Sequence, residues 1–299
     1  MMNKKLNISI IIIGYNTCQE LERLLKSINN LNKSYHILEV VYVDDGSQDS
    51  SLKIFKRFPL NFKKKFHKND INKGRSFSTQ AGINIASGDW FLFIRSNEIA
   101  SKNLINEYSL AISKYSGLAF MGVVRYQSKD KYFEKYLNNK KRGVNLFHCG
   151  EKIHYKFLLF NNSILNKHIF RYVCLDSNLK SYGGEELDFS FKLNKAFPNM
   201  ICACPGAVVY RNNYPSLKEH SARLEEFGLF NFKALSKKLQ LQIVYYRLFL
   251  SRFILLRLII LFVYFFCNTI NTKIKIRPRY LIIRAHFLAA ILRGYYKAS

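Results

Sequence analysis

Two pairs of adjacent carboxylates, Asp44-Asp45 and Glu185-Glu186, are the residues best placed by type and spacing to do chemistry. The first pair follows Val40-Val41-Tyr42-Val43 and precedes Gly46-Ser47, so a continuous apolar strand runs straight into two acids and a turn. In an open α/β sheet the carboxyl ends of the strands border the crevice where ligands bind, and this stretch reads as a nucleotide-binding strand end. The alternative is a turn in which Asp44 or Asp45 caps the helix expected from about Asp49. The second pair follows Gly183-Gly184 and opens a helical pattern, with Asp188 close behind. In a first helical turn the exposed N–H groups and the helix dipole favour an ionised carboxylate by about 0.3 to 1 kcal/mol. A plain charge preference of helix N-termini, without chemistry, is the alternative there.

The elements that must position these acids alternate in type. Ile8 to Ile13 is a β-branched strand ending in the turn Gly14-Tyr15-Asn16. Thr17 is placed to cap a helix whose apolar residues Leu21, Leu24, Leu25 and Ile28 recur at helical spacing. After the Val40 to Val43 strand, a helix is expected from about Asp49 to Phe58, then a solvated basic run at Lys63-Lys64-Lys65. Asn69 to Arg75 reads as a loop, Gln80 to Ala86 as a helix stopped by Gly88, and Trp90 to Ile94 as another buried strand. This order predicts a mostly parallel sheet with right-handed crossovers. Leu118 to Val124 adds a strand, and the tyrosine-rich stretch from Tyr126 to Gly150 reads as an irregular lid or acceptor-facing insertion.

Composition bounds the function classes. The 299 residues are 48% hydrophobic, enough for one large α/β domain or two smaller ones. Lys and Arg number 47 against 20 Asp and Glu, a formal charge of +27 that calls for an anionic partner. No nucleic-acid-binding motif accompanies that charge, so nucleic acid is not expected as the partner. The six cysteines lack zinc-finger spacing, and Cys202 and Cys204 sit two apart in a strand-like run as small apolar residues, which suits a reducing compartment. Met1 to Asn7 has no apolar signal-peptide core.

Five motifs in order resemble glycosyltransferase family 2, whose members have the GT-A nucleotide-sugar-binding fold: Ile10-Ile11-Ile12-Ile13-Gly14-Tyr15-Asn16, Val43-Asp44-Asp45-Gly46-Ser47-Gln48-Asp49, Asn72-Lys73-Gly74-Arg75, Ala86-Ser87-Gly88-Asp89-Trp90 and Tyr182-Gly183-Gly184-Glu185-Glu186. Asn162 to Asp176 also resembles the family's segment before its Glu-Asp motif, and the resemblance stops short of Phe230 to Ser299. It implies that Asp44 and Asp45 meet the uracil and ribose of a nucleotide-sugar donor, a UDP-sugar above all. Tyr15, Asn16, Gly74 and Arg75 then belong to the donor side. Glu186 matches the family's general base, which takes the proton of an acceptor hydroxyl as it attacks the anomeric carbon. Glu185 becomes the supporting carboxylate and Asp188 the rival base. An alcohol nucleophile needs such a carboxylate within hydrogen-bond reach, and direct attack with one base implies inversion.

The chain departs from the family where Asp-x-Asp is expected, carrying Arg95-Ser96-Asn97 instead, and Arg211 stands where many members place a metal-binding histidine. Magnesium or manganese prefers carboxylate oxygens, so a divalent metal is doubtful; Asn97 and Glu98 are the weak candidates for one. Arg95, Asn97 and Arg211 are assigned to the donor side. Two guanidiniums could neutralise the leaving diphosphate, each worth roughly 4 kcal/mol at 4 Å and an effective dielectric near 20.

Leu248 to Ile270 is apolar but interrupted by Arg252 and Arg257. Its uncharged run, Leu258 to Cys267, gains about 3 to 6 kcal/mol on insertion against about 2.5 to 3.5 for one central arginine, so spanning is marginal. With Lys273, Lys275, Arg277 and Arg279 flanking the run, an interfacial position on an anionic membrane is expected, each basic residue adding about 1 kcal/mol. A single transmembrane helix near 253–270 and a buried core helix are the alternatives. The fold class expected is α/β of GT-A type, Rossmann-like, with helices on both faces of a mostly parallel sheet. Residues 1–230 form the glycosyltransferase domain, with a nucleotide-sugar half at 1–124 and an acceptor and base half at 125–230. Residues 231–299 form a basic, apolar, helical membrane-associating region. The function expected is an inverting glycosyltransferase at the cytoplasmic face of the cell membrane, peripheral or monotopic, acting on a glycan or lipid-linked acceptor in cell-surface polysaccharide synthesis. An inactive pseudoenzyme that binds nucleotide-sugar or glycan is the competing reading.

Overall fold

A computed structural model describes residues 5–32, 34–251, 253–273 and 280–297. In chain order the first elements are β1 (Ile8–Gly14), α1 (Cys18–Asn29), β2 (Ile37–Asp44), α2 (Ser51–Arg57), β3 (Lys63–Lys68), α3 (Arg75–Ile85) and β4 (Trp90–Arg95). Next come β5 (Ile99–Ala100), α4 (Leu104–Lys114), β6 (Ala119–Ser128), α5 (Lys131–Leu137), β7 (Ser163–Asn166), α6 (Glu185–Ala196) and β8 (Ile201–Tyr214). The C-terminal helices are α7 (Leu217–Leu229), α8 (Asn231–Ala234), α9 (Lys237–Val244), α10 (Ile254–Lys273) and α11 (Tyr280–Lys297).

The strands form one sheet in the order β3-β2-β1-β4-β7-β6-β8-β5. β3, β2, β1 and β4 run parallel, whereas β7 is antiparallel to β4 and β6, and β5 is antiparallel to β8. The expected mostly parallel α/β sheet is therefore present, with a mixed half added. Ile10, Ile11 and Ile12, Val40 to Val43 and Leu92 to Ile94 are all buried. Burying each such side chain contributes about 1.5 to 3 kcal/mol, which makes continuous β-branched and aromatic runs the central strands. The register pairs Gly14 with Asp44 and Ile13 with Arg95, which sets the ends of β1, β2 and β4 side by side.

The chain divides by packing into two compact units, Met1–Arg125 with Lys140–Ser177 and Glu185–Asn212, and Tyr126–Asn139 with Asn178–Gly184 and Asn213–Ser299. That division falls at 212 and takes two earlier segments into the second unit, whereas the composition shift falls at 230.

Three local expectations need correction. Lys63 to Lys65 is not simply a solvated run: it opens β3, an outer strand paired with β2. Lys65 is bound there to Glu39 at 3.0 Å, and the buried Glu39 also accepts from Ser9 Oγ and the Ser87 amide. Thr17 occupies the N-cap position of α1, yet its hydroxyl makes no cap. The Cys18 amide donates instead to Asp49 Oδ2 at 3.0 Å and the Thr17 amide to Ser51 Oγ at 2.9 Å. Finally, the stretch after Tyr126 is not irregular throughout. It contains α5, whose Tyr132, Phe133, Tyr136 and Leu137 are buried with Leu217 and Ile283 as the core of the second unit.

Within that second unit α11 lies against α7 at a glycine contact. A Cβ on Gly228 would sit 1.9 Å from the Ile291 carbonyl oxygen, and one on Gly294 would sit 1.9 Å from that of Glu225. Only glycine permits this approach. Cys202 and Cys204 are buried, as expected of small residues on one strand face, and all six cysteines are free.

Candidate active site

At the end of β2 the backbone turns through Gly46, whose φ of +77° is a glycine conformation. Asp44 is buried, and its Oδ1 accepts the Ser47 amide at 3.1 Å. Asp45 is also buried and accepts three donors: Asn69 Nδ2 at 2.8 Å, the Lys73 amide at 2.9 Å and the Gly74 amide at 3.1 Å. It therefore holds the loop that delivers Gly74, at φ +86°, to the start of α3. Neither acid caps the following helix. Asp49 does that work, its Oδ1 accepting from the Ser51 amide and hydroxyl at 2.9 and 2.5 Å. Asn16, at φ +51°, ties the β1 turn to the same place: its amide donates to Ser47 Oγ, and its Oδ1 accepts from the Gln48 amide. Tyr15 is exposed. Beside these turns lies an open hollow of about 400 Å³, lined by Asp44, Ser47 and Asp49 together with Lys53, Lys56, Arg57 and Lys68.

The second pair is held by arginines. Glu185 is buried and binds Arg75 Nη2 at 2.6 Å. Glu186 binds Arg95 Nη2 at 2.9 Å and accepts the Phe160 amide at 3.0 Å, and both contacts fall on Oε1. Arg95, expected to face a diphosphate, is thus paired with the expected base. Asp188 turns along the helix to Lys192 at 2.6 Å. Glu98 is wholly buried and accepts the Arg95 amide at 2.8 Å, Asn97 is half-buried, and Arg211 is buried.

Environment pushes the two neighbouring glutamates apart. Burial raises Glu185 above the usual carboxylate range despite the pull of Arg75. Burial acts the same way on Glu186, but Arg95 and Arg75 outweigh it and hold Glu186 below that range. Glu186 is therefore an ionised carboxylate near neutrality, with one oxygen clamped. Burial also raises Glu98, against attraction from Arg211 and Arg95. Among the described residues no group of three His, Cys, Asp or Glu is arranged to hold a metal ion. The carboxylate just past the end of β4 is enclosed, and the cations acting on it are Arg211 and Arg95, with Glu186 opposing them.

The first unit thus gathers Arg75, Arg95, Glu98, Glu185 and Glu186, while Asp188 is drawn to a lysine. Three contributors escaped sequence reasoning. Asn69 bridges Asp45 and Ser78 Oγ, Asp49 caps two helices, and Phe160 supplies an amide to Glu186. The first two are short polar residues, Asn69 in a predicted loop and Asp49 at a predicted helix start, a signal for such work. A backbone amide leaves no mark in the sequence.

Residues 9–174 match the sequence model of Glycosyl transferase family 2. The glycosyltransferase GlyA of Streptococcus pneumoniae serotype 4 is 27% identical over 157 residues, covering 52% of this chain and 21% of that protein. An uncharacterised glycosyltransferase of Bacillus subtilis, YfnE, is 26% identical over 133 residues, 44% of this chain and 34% of its own length. The chain thus spans about a third or less of these two relatives. Among solved structures, residues 1–349 of Staphylococcus aureus TarS in complex with UDP-GlcNAc superpose with a TM-score of 0.58 at 15% identity, over 98% of this chain and 90% of that one. The mannosyltransferase PcManGT of Pyrobaculum calidifontis, in complex with GDP-Man and Mn2+, superposes at 0.56 and 13% identity, over 77% of this chain and 64% of that one. At these identities the superpositions establish the GT-A-like fold. With the family's sequence pattern running through more than half of its length on that fold, the chain belongs to glycosyl transferase family 2.

Proposed function

We propose that the protein is an inverting glycosyltransferase that moves a sugar from a nucleotide-sugar donor, a UDP-sugar, to a glycan or lipid-linked acceptor in cell-surface polysaccharide synthesis. The observation that carries this reading is the state of Glu186: ionised, oriented through Oε1 by Arg95 and the Phe160 amide, and set at the start of α6. Its Oε2 takes the acceptor hydroxyl's proton. The hydroxyl oxygen bonds to the anomeric carbon as the bond to the diphosphate breaks, and the nucleoside diphosphate leaves with that electron pair. A single displacement of this kind inverts the anomeric centre. Glu185, on Arg75, supports the base. Asp188 is the weaker candidate because Lys192 engages it.

On the donor side the roles of Asp44 and Asp45 separate. Asp44 lines the hollow at the end of β2 and suits a direct contact with nucleotide, whereas Asp45 positions the Lys73-Gly74-Arg75 turn. Support for a nucleotide-sugar donor comes from the family and from the solved neighbours, which hold UDP-GlcNAc and GDP-Man. We assign the diphosphate to Arg95 and Arg211 rather than to a metal. A hard cation at the end of β4 would find Asn97 and one enclosed carboxylate, Glu98, which burial pushes toward its protonated form and which two arginines already attract, so the set does not suit it. When the diphosphate draws Arg95, the larger of the two charges holding Glu186 below the usual range is drawn off and the base strengthens, so donor binding and base activation are linked. The nucleotide-sugar half is taken as 1–124, the acceptor and base half as 125–230, and 231–299 as the membrane-associating part at the cytoplasmic face.

Two features favour a binding-only protein: the expected base is itself in an ion pair, and no Asp-x-Asp is present. A donor screen that follows released nucleoside diphosphate, in wild type and Glu186→Gln, tests the choice. Transfer that collapses in the variant is the expected result. Nucleotide binding without turnover by the wild type supports the inactive reading.

A further inference from the structure

The second unit carries a helix with two unlike faces. One stripe of α10, made of Arg257, Ile260, Tyr264, Cys267 and Asn271, is turned inward and tied mainly to α11. Arg293 stacks over Tyr264 at 4.6 Å, Arg257 over Tyr296 at 5.5 Å, and Tyr264 meets His286 edge-on at 5.0 Å. Asn271 lies 3.3 Å from His286 and accepts the Tyr132 hydroxyl at 3.1 Å. The opposite stripe is apolar and exposed: Ile254 at 75%, Leu258 at 57%, Phe262 at 69%, Phe265 at 56% and Phe266 at 53%. An exposed apolar face of this extent on a stable element marks an interaction surface.

Charge identifies what covers it. From Asn231 to Ser299 the sequence holds 13 Lys and Arg and no Asp or Glu, nearly half of the net +27. Among these, Lys237, Lys238, Arg247, Lys273 and Arg284 are exposed; Arg252, Lys275, Arg277 and Arg279 lie outside the described residues. Tyr245 and Tyr246 are exposed as well, and half-polar rings of this kind favour the headgroup level of a bilayer. An apolar face on a stretch whose own charges are all basic is the chemistry of a helix lying on an anionic lipid surface.

The inward stripe decides against crossing. α10 is 20 residues long and apolar enough to span by length and composition. Spanning would, however, pull Arg257 and Asn271 away from partners on α11, and α11 is locked to α7 through Gly228 and Gly294, with Arg293 and Lys297 on Glu225. We propose that α10 lies flat in the headgroup region of an anionic bilayer, inserting its Ile254–Phe266 face while α11 holds its other face to the protein. The proposal rests on the membrane part of the reading above and is independent of the transfer chemistry.

Sedimentation of the full chain with vesicles tests it. Partitioning onto phosphatidylcholine with about 30% phosphatidylglycerol is expected to exceed that onto phosphatidylcholine alone at least tenfold, and to weaken as salt rises. Phe262→Glu with Phe266→Glu is expected to lower it at least tenfold with the melting temperature unchanged, since both side chains are exposed. Ile254→Glu provides a second variant should the pair disturb folding. An alkaline carbonate wash is expected to release the bound protein. Binding that resists carbonate overturns the flat geometry while leaving a membrane role standing. Absence of vesicle binding overturns both. If that absence comes with a concentration-dependent dimer that the double variant abolishes, the face belongs to a second copy of the chain.

Discussion

Asp44-Asp45 and Glu185-Glu186 belong to the same unit, and the difference lies in what satisfies them. Asp45 is held by two backbone amides and a buried asparagine, and Asp44 by a backbone amide. These donors are fixed by the chain's own path, so the first pair is a structural clamp that shapes two turns. Glu185 and Glu186 are each paired with an arginine from another element. A guanidinium on a flexible stem can leave for a better anion, which a backbone amide cannot do. Carboxylates satisfied by backbone fix a site's shape, and carboxylates satisfied by arginine keep charge that a phosphorylated ligand can redistribute.

This contrast breaks first at Glu186. Glu186→Gln is expected to lower turnover by about 10² to 10⁴ while nucleotide affinity stays near wild type, as steady-state kinetics and calorimetry would record. If turnover is unchanged in that variant and lost in Asp188→Asn, the base is Asp188. Asp45→Ala should act on stability instead. It removes an acceptor from the buried Asn69 and from the part-buried Lys73 and Gly74 amides, for a loss of about 1 to 3 kcal/mol in a denaturant titration, with weaker nucleotide binding through the displaced Gly74 loop. Asp44→Ala should weaken nucleotide binding with less effect on folding. A stability loss in Glu186→Gln as large as that in Asp45→Ala would erase the distinction.

Arg95→Ala is expected to cost at least about tenfold in turnover, because the proposed diphosphate contact goes with it. The pH dependence sharpens the same point. As the proposed base, Glu186 would work in its ionised form, and it is held below the usual carboxylate range, so kcat/KM should stay flat as pH falls and drop only beneath that range. The acid limb of kcat should lie higher if, as proposed, Arg95 turns to the diphosphate in the donor complex. Coincident limbs would mean that Arg95 does not move. The smallest effect is expected from excess EDTA, which should leave most activity intact; silencing by EDTA and rescue by manganese would return the diphosphate to a metal at Asn97 and Glu98.

Much of this was legible in the sequence. The runs Ile8 to Ile13, Val40 to Val43 and Trp90 to Ile94 read as buried strands, since each is apolar apart from Ser9 and ends near turn residues. The ordered motifs carried the family and its fold, and the absence of acids after Asn231 carried the basic character of the C-terminal helices. What was missed depended on neighbours remote in the chain. Lys63 to Lys68 has no strand pattern of its own and becomes β3 because β2 offers it a free edge. The tyrosines of α5 look like surface residues until Leu217 and Ile283, some eighty and one hundred and fifty positions on, close over them. Local sequence fixes backbone conformation through periods of two and 3.6 residues. No such period links Arg95 to Glu186, ninety-one positions apart, so their pairing, and with it the charge state of the expected base, was decided only when the sheet and α6 came together.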